Sequence, residues 1–172
     1  KTQGGLTMGK LYVRIDDRLI HGQIVTAWCV TYGVGEIIAI DDAMGSNAMM
    51  QQIMMMGVPA GYHPKIVTAA QAKELLKTET EKTRLVITRF AKNLVQIRDE
   101  IKTAEHVNIG NCSKQADEAA HVKGIGVGGV LSFSQADVDA LDAEQADGVT
   151  VICQMLPTEK RRSWDELKKA FS

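Results

Sequence analysis

The sequence predicts one α/β domain, an open, mainly parallel twisted sheet with helices on both faces. Three observations lead there. Short β-rich runs alternate with amphipathic helical stretches, which implies right-handed crossovers between parallel strands. A length of 172 residues suits one hydrophobic core and is short for two. No linker, internal repeat or low-complexity tract divides the chain.

The elements follow in order. Leu11, Val13 and Ile15 alternate with Tyr12, Arg14 and Asp16 at strand spacing. Ile20, Ile24 and Trp28, with Val25 and Cys29, mark one face of a helix. Ile37 to Ile40 reads as a continuous buried strand of the parallel kind. Ser46 is placed to cap a helix whose apolar face holds Met49, Met50, Ile53 and Met54. Pro59, Gly61 and Pro64 punctuate the loop into a strand at Lys65 to Thr68, and Ala72, Leu75 and Leu76 give the next helix face. Leu85 to Ile87 is a strand, followed by a helix stripe at Leu94, Ile97 and Ile101. Val107 and Ile109 belong to a strand ending at Gly110, and Asn111 to Gly129 suits a long excursion or hairpin. Val130 to Phe133 is a strand, Ser134 caps a helix burying Val138 and Leu141, and Val149 to Cys153 is the last strand. Trp164, Leu167 and Phe171 close the chain with a helix.

Composition narrows the function. Hydrophobic residues make up 45% and charged residues 24%, the balance of a folded soluble protein. A net charge of −1 speaks against broad attraction to nucleic acid or anionic membrane, so any anion must be held by local donors. No apolar run reaches bilayer length and no secretory signal opens the chain. Cys29, Cys112 and Cys153 are odd in number and lack a Cys-x-x-Cys pair, which disfavours disulfide and zinc and favours a reducing cytosol. Residues 1–7 precede Met8 without pattern and are expected to be an appended remnant, leaving 8–172 as the domain.

Ligands of such sheets bind at the carboxyl ends of the strands. The loop after the first strand, Asp16-Asp17-Arg18-Leu19-Ile20-His21-Gly22-Gln23, is the most polar stretch of the first third of the chain. His21 stands at or just before a helix start, where free amides and the dipole favour an anion. Gly22 leaves the backbone open to a bulky group. Arg14 and Arg18 offer planar donor forks matched to phosphate oxygens. Asp16 or Asp17 can accept a proton from one imidazole nitrogen and leave the other nucleophilic.

The run Arg14-Ile15-Asp16-Asp17-Arg18-Leu19-Ile20-His21-Gly22-Gln23 resembles the active-site signature of IIB subunits of the mannose/fructose/sorbose family of bacterial sugar phosphotransferase systems. A helix bearing Trp28 follows, as it does in that family. Weaker likeness covers nearly the whole chain from Met8. Ile37-Ile38-Ala39-Ile40-Asp41-Asp42 is similar to the family's second strand and its acidic end. Val107-Asn108-Ile109-Gly110 resembles its INVG strand, and Gln154-Met155-Leu156-Pro157 the end of its seventh strand.

The resemblance implies a relay in which His21, the histidine of the HGQ tripeptide, is the phosphohistidine. A IIA domain donates to it. His21 then passes the group to a sugar held by the membrane IIC and IID subunits, the activity of a protein-N(pi)-phosphohistidine–sugar phosphotransferase. Nδ1 is the implied phosphorylated nitrogen. No cofactor, neither ATP nor a metal, is implied. Arg14, Asp16, Asp17, Arg18, Gly22 and Gln23 would support the phosphate, with Asp41, Gly110 and Asn111 as neighbours. The implied location is cytoplasmic, peripheral to the membrane permease. Mannose, fructose, sorbose and N-acetylgalactosamine all stay open as the sugar. Two departures stand out: Thr88-Arg89-Phe90-Ala91-Lys92-Asn93 lacks the family's proline and carries no expected site role, and Asn111-Cys112 replaces its usual glycine and methionine.

Other features are read more plainly. Gly124-Ile125-Gly126-Val127-Gly128-Gly129 precedes a strand rather than a helix, so a turn or hairpin is preferred over a dinucleotide loop. The methionines at 49, 50, 54, 55 and 56 suit core packing or a partner-facing surface better than a soft-metal site. They also hint at a homodimer. His63, His106 and His121 lack helical metal-site partners. Two other classes stay open, a small hydrolase using His21 as base or nucleophile and a non-catalytic nucleotide-binding module.

Overall fold

The computed structural model describes residues 7–172, and the expected remnant lies outside them except for Thr7. The main sheet is built from β1 (Leu11–Asp16), β2 (Glu36–Ile40), β3 (Lys65–Val67), β4 (Arg84–Thr88), β5 (Val107–Asn111), β8 (Val151–Cys153) and β9 (Arg162–Ser163). Their order is β3-β2-β4-β1-β5-β8-β9, parallel throughout except for β9. β1 is interior, with Val13 opposite Val86 on one side and Val107 on the other.

Alternation along these strands feeds two cores. Val13, Ile15, Ile38, Ile40 and Val86 point to one face, where Ala72, Leu94, Ile101, Leu141 and Trp164 meet them. Ile37, Ala39, Leu85 and Ile87 point to the other, beneath Ile24, Trp28 and Cys29. These last three come from the first helix, residues 22–32, which opens as a π-helical turn (Ile24–Trp28) and ends as α1 (Cys29–Tyr32). The sheet is thus covered on both faces, as the sequence rhythm required.

Local chemistry explains most boundaries. α4 (Ala69–Leu76), α5 (Gln135–Ala146) and α6 (Trp164–Lys169) each start on a capping box, formed by Thr68 with Gln71, Ser134 with Asp137 and Ser163 with Glu166. The stripe at Leu94, Ile97 and Ile101 lies on two 3-10 segments within Ala91–Ile101 that meet at a kink at Ile97 (φ −126°, ψ 16°), rather than on an α-helix. Buried Ala91, Leu94 and Ile97 are three apart, which superimposes them at three residues per turn.

Two sequence expectations need correction, the cap of the methionine helix and the start of the last expected strand, and one left open is settled, the side that the methionine helix turns to the core. Ser46 does not cap the methionine helix: it ends the short α2 (Asp42–Gly45), and Asn47 caps α3 (Ala48–Met55) by accepting from the Met50 amide at 3.1 Å. The face holding Met49, Met50 and Ile53 is not a core face, because α3 already packs inward through Met54 and Met55. The strand read as Val149 to Cys153 begins only at Val151. The segment after β5 is the hairpin of β6 (Glu118–Lys123) and β7 (Val130–Ser134), an antiparallel pair apart from the main sheet. Gly124, Gly126 and Gly129 take φ of 80°, 94° and 73° in its turn, and no helix opens on them.

Candidate active site

The chain leaves β1 toward one face of the sheet and leaves β4 and β5 toward the other, which opens a crevice at their carboxyl ends. Asp16, the last residue of β1, sits at its floor with no solvent exposure. Its carboxylate accepts from the Arg18 amide at 3.2 Å, Arg18 Nε at 2.9 Å and Arg18 Nη2 at 3.0 Å. Arg14 Nε lies at 3.4 Å and His21 Nε2 at 3.1 Å. Burial alone raises the carboxyl's pKa, but His21, Arg18 and Arg14 outweigh it and bring it down to about 2.

A tight turn places these groups. The Leu19 amide donates to the Asp16 carbonyl at 3.0 Å, and Leu19 adopts φ of 56° while fully buried. The left-handed conformation costs a leucine about 1–2 kcal/mol, and burying its side chain offsets a cost of that size. His21 is the residue before the first helix, its carbonyl accepting from Ile24 at 3.0 Å and Val25 at 3.3 Å. The amides of Gly22 and Gln23 have no partner among the described residues. Nor does His21 Nδ1. An ionised carboxylate on Nε2 holds the imidazole as the Nε2–H tautomer, which leaves the Nδ1 lone pair free to react.

The two arginines part company. Arg18 is 29% exposed along its side chain, with Nη1 free of partners among the described residues. Arg14 is buried to 1%. Its Nη1 donates to the Gln154 carbonyl at 3.1 Å and its Nη2 to the Met155 carbonyl at 3.1 Å, while its guanidinium lies 4.9 Å over the Trp28 ring. Trp28 Nε1 donates to the same Met155 carbonyl at 2.9 Å. Burial lowers the Arg14 pKa, and Asp16 opposes that shift. A free phosphate-binding fork is therefore not what Arg14 offers; it orients Asp16 and ties β1 to the segment after β8.

The neighbours are placed as follows. The register of β1 against β5 shifts so that Asp16 pairs with Asn111, leaving Gly110 as an extra residue. A Cβ at Gly110 would lie 2.3 Å from Arg14 Nη2, so the glycine makes room for the guanidinium. Asn111 donates through Nδ2 to Asp17 at 2.8 Å and accepts from the Val127 amide at 2.9 Å. Asp17 also accepts from the Ser113 amide at 2.9 Å, so it holds the loop to β5 and leaves the histidine to Asp16. Asp41 caps α2 and accepts from Arg89 Nε at 2.8 Å. Gly22 is exposed, with open space where a Cβ would stand, and Gln23 buries its Oε1 without a partner among the described residues.

Sequence reading missed Arg89. It donates to the Asp17 carbonyl, to Asp41, and to Met44 Sδ at 3.5 Å, joining the His21 loop to the end of β2. The polar cluster at the end of β4 was its only signal, and nothing in the sequence says that β4 lies between β1 and β2. Among the described residues, no three His, Cys, Asp or Glu side chains gather as metal ligands, and no helix is long and apolar enough to cross a membrane.

Comparison with known proteins agrees with this geometry. The family model described as the PTS system sorbose subfamily IIB component matches residues 10–171. A fructose-specific EIIB component of Bacillus subtilis is 21% identical over 154 residues, covering 88% of this chain and 91% of the relative. The mannose-specific EIIAB component of Escherichia coli is 23% identical over 151 residues, with 86% of this chain matching only 45% of that longer protein. The IIBSor domain of the sorbose permease from Klebsiella pneumoniae superposes with a TM-score of 0.78 at 18% identity, covering 93% of this chain and 97% of that one. A structure of manxB from Thermoanaerobacter tengcongensis superposes at 0.76 with 26% identity, over 95% and 97% of the two chains. The chain belongs to the mannose/fructose/sorbose family of phosphotransferase-system IIB components, transferases of sugar uptake.

Proposed function

We propose that His21 is the phosphoryl carrier of this IIB component, loaded on Nδ1 by a IIA phosphohistidine and discharged to a sugar hydroxyl. The observation that carries this reading is the 3.1 Å contact between His21 Nε2 and the buried, ionised Asp16. In the loading step the Nδ1 lone pair forms a bond to phosphorus while the donor's N–P bond breaks and its electron pair returns to the donor imidazole. In the second step the sugar oxygen attacks phosphorus and the Nδ1–P electrons return to His21. The hydroxyl proton leaves to a base.

The protein's part is positioning and charge neutralisation. Arg18 Nη1 and the Gly22 and Gln23 amides supply donors for the phosphoryl oxygens at the helix start. Asp16 stabilises the Nε2–H while phosphate occupies Nδ1. Arg14 acts through Asp16 as a positioning residue. An EIIAB relative supports a IIA domain as the donor. The acceptor sugar is held by membrane IIC and IID subunits, with this chain working at their cytoplasmic face.

Incubation with phosphoenolpyruvate, enzyme I, HPr and a phosphorylatable IIA tests the reading by intact mass. Wild type is expected to gain an acid-labile phosphate and His21→Ala none. An adduct that survives in His21→Ala, or phosphate release with no adduct on wild type, would overturn it.

A further inference from the structure

Among the described residues, large exposed apolar side chains concentrate on one helix. Met49 is 70% exposed, Ile53 56% and Met56, just past the end of α3, 79%, with Met50 beside them at 39%. Positions 49, 53 and 56 are four and three apart and form one stripe on the outer side of α3. Its inner side is already filled by Met54 and Met55, so the outer stripe has no folding reason to be apolar.

The stripe lies on the same face of the sheet as the first helix, which carries the His21 loop, and α3 starts just beyond the carboxyl end of β2. Arg89 bonds the Asp17 carbonyl, the Asp41 cap of α2 and Met44, so the two loops are physically joined. On the opposite flank Val127 is 61% exposed, and its amide is bonded to Asn111, which holds Asp17.

Direct transfer between two proteins brings the nucleophile and phosphorus to about 3–3.5 Å, so the donor must press its own surface against the rim around His21. A standard interface covers about 800 Å² per partner, a disc of about 16 Å radius. α3 packs beside β3, three strand spacings from β1, about 14 Å, which puts it at the rim of that footprint. We propose that the stripe of Met49, Ile53 and Met56, with Met50, is the docking surface for the IIA donor domain, with Val127 as the opposite contact. The proposal rests on the reading that a IIA loads His21. Thioether side chains repack at small cost, which suits a partner that must bind and leave.

The test uses the triple variant M49Q/I53Q/M56Q, with V95Q as control. Val95 is 65% exposed on the 3-10 helix, which packs against the other face. Two phosphoryl donors are compared, phosphorylated IIA at varied concentrations of this chain and phosphoramidate, which is too small to need a docking surface. The expected result is a KM for this chain raised tenfold or more with IIA, at unchanged kcat. Phosphoramidate labelling and V95Q should match wild type. An unchanged KM, or equal loss with phosphoramidate, overturns the proposal. So does a wild-type dimer that the triple variant turns into a monomer without changing KM, since a second copy would then cover the stripe. Wild type labelled by phosphoramidate but never by phosphorylated IIA would instead overturn the loading step on which the proposal rests.

Discussion

Asp16 decides what His21 can do. Its carboxylate is fully buried, takes donors from Arg14, Arg18 and His21, and titrates at about 2 against 3.8 when unfolded. The folded pKa is the lower one, so its stabilisation is complete above pH 3.8 and disappears as pH falls through about 2. The shift corresponds to about 2 kcal/mol. Asp16→Asn is expected to remove this acid-limb dependence in urea titrations between pH 2 and 5. It is also expected to slow His21 phosphorylation about 100-fold, the cost of losing a charged orienting partner. A variant that transfers at the wild-type rate would show that the carboxylate does not set the tautomer. The sequence made this residue legible only as one of two, Asp16 or Asp17. Adjacent strand residues face opposite ways, but at a strand end a turn decides orientation, and the positive φ of Leu19 is not written in its side chain.

Between elements, the site depends on a bulge. Gly110 is the extra residue of β5 and lies where a Cβ would meet the Arg14 guanidinium at 2.3 Å. Gly110→Ala is expected to cost about 1–3 kcal/mol and to reduce transfer with it, because Arg14 is tied to Gln154, Met155 and Asp16 and has nowhere to move. Chemical denaturation and the transfer rate together check this, and a Gly110→Ala protein as stable as wild type would contradict it. Arg14→Met is expected to cost about 3 kcal/mol by leaving the Gln154 carbonyl and part of Asp16 unpaired. Gly110 was visible only as a neighbour of the site and Arg14 only as a fork for phosphate, since the close approach between them arises from strand register. Elements with strong local signals were legible: Ser134 caps its helix and the Gly124–Gly129 cluster is a hairpin turn, both as read. The methionine helix stayed open between core packing and a partner-facing surface, because apolar spacing does not reveal which side a core lies on.

At the scale of the molecule, alternating strands and helices announced a parallel sheet, while strand order stayed hidden. That order puts β4 between β1 and β2, and with it Arg89 beside the His21 loop. The whole-molecule pH profile has a second limb. Glu144 of α5 is 1% exposed with Oε2 unpartnered among the described residues, and burial, with Asp147 adding to it, pushes its pKa up to about 7 from 4.5. The folded pKa is the higher one, so stability falls as pH rises from 4.5 to about 7, by about 3 kcal/mol in full. Glu144→Gln is expected to raise Tm at pH 8 and leave it nearly unchanged at pH 4.5. An equal Tm at pH 8 would show that the ionised carboxylate finds a partner. His106 opposes this limb, because burial holds its pKa down to about 4 from 6.5 and stability is lost as pH falls through that range, while the His21 site keeps an ionised Asp16 throughout the neutral range.

The most direct test of the phosphohistidine and its tautomer is heteronuclear NMR of the 15N-histidine protein after phosphorylation through IIA, with 31P coupling assigned to ring nitrogens. The expected spectrum places phosphorus on Nδ1 of His21, with a proton retained on Nε2 in contact with Asp16. Phosphorus on Nε2, or on any of His63, His106 or His121, would contradict it.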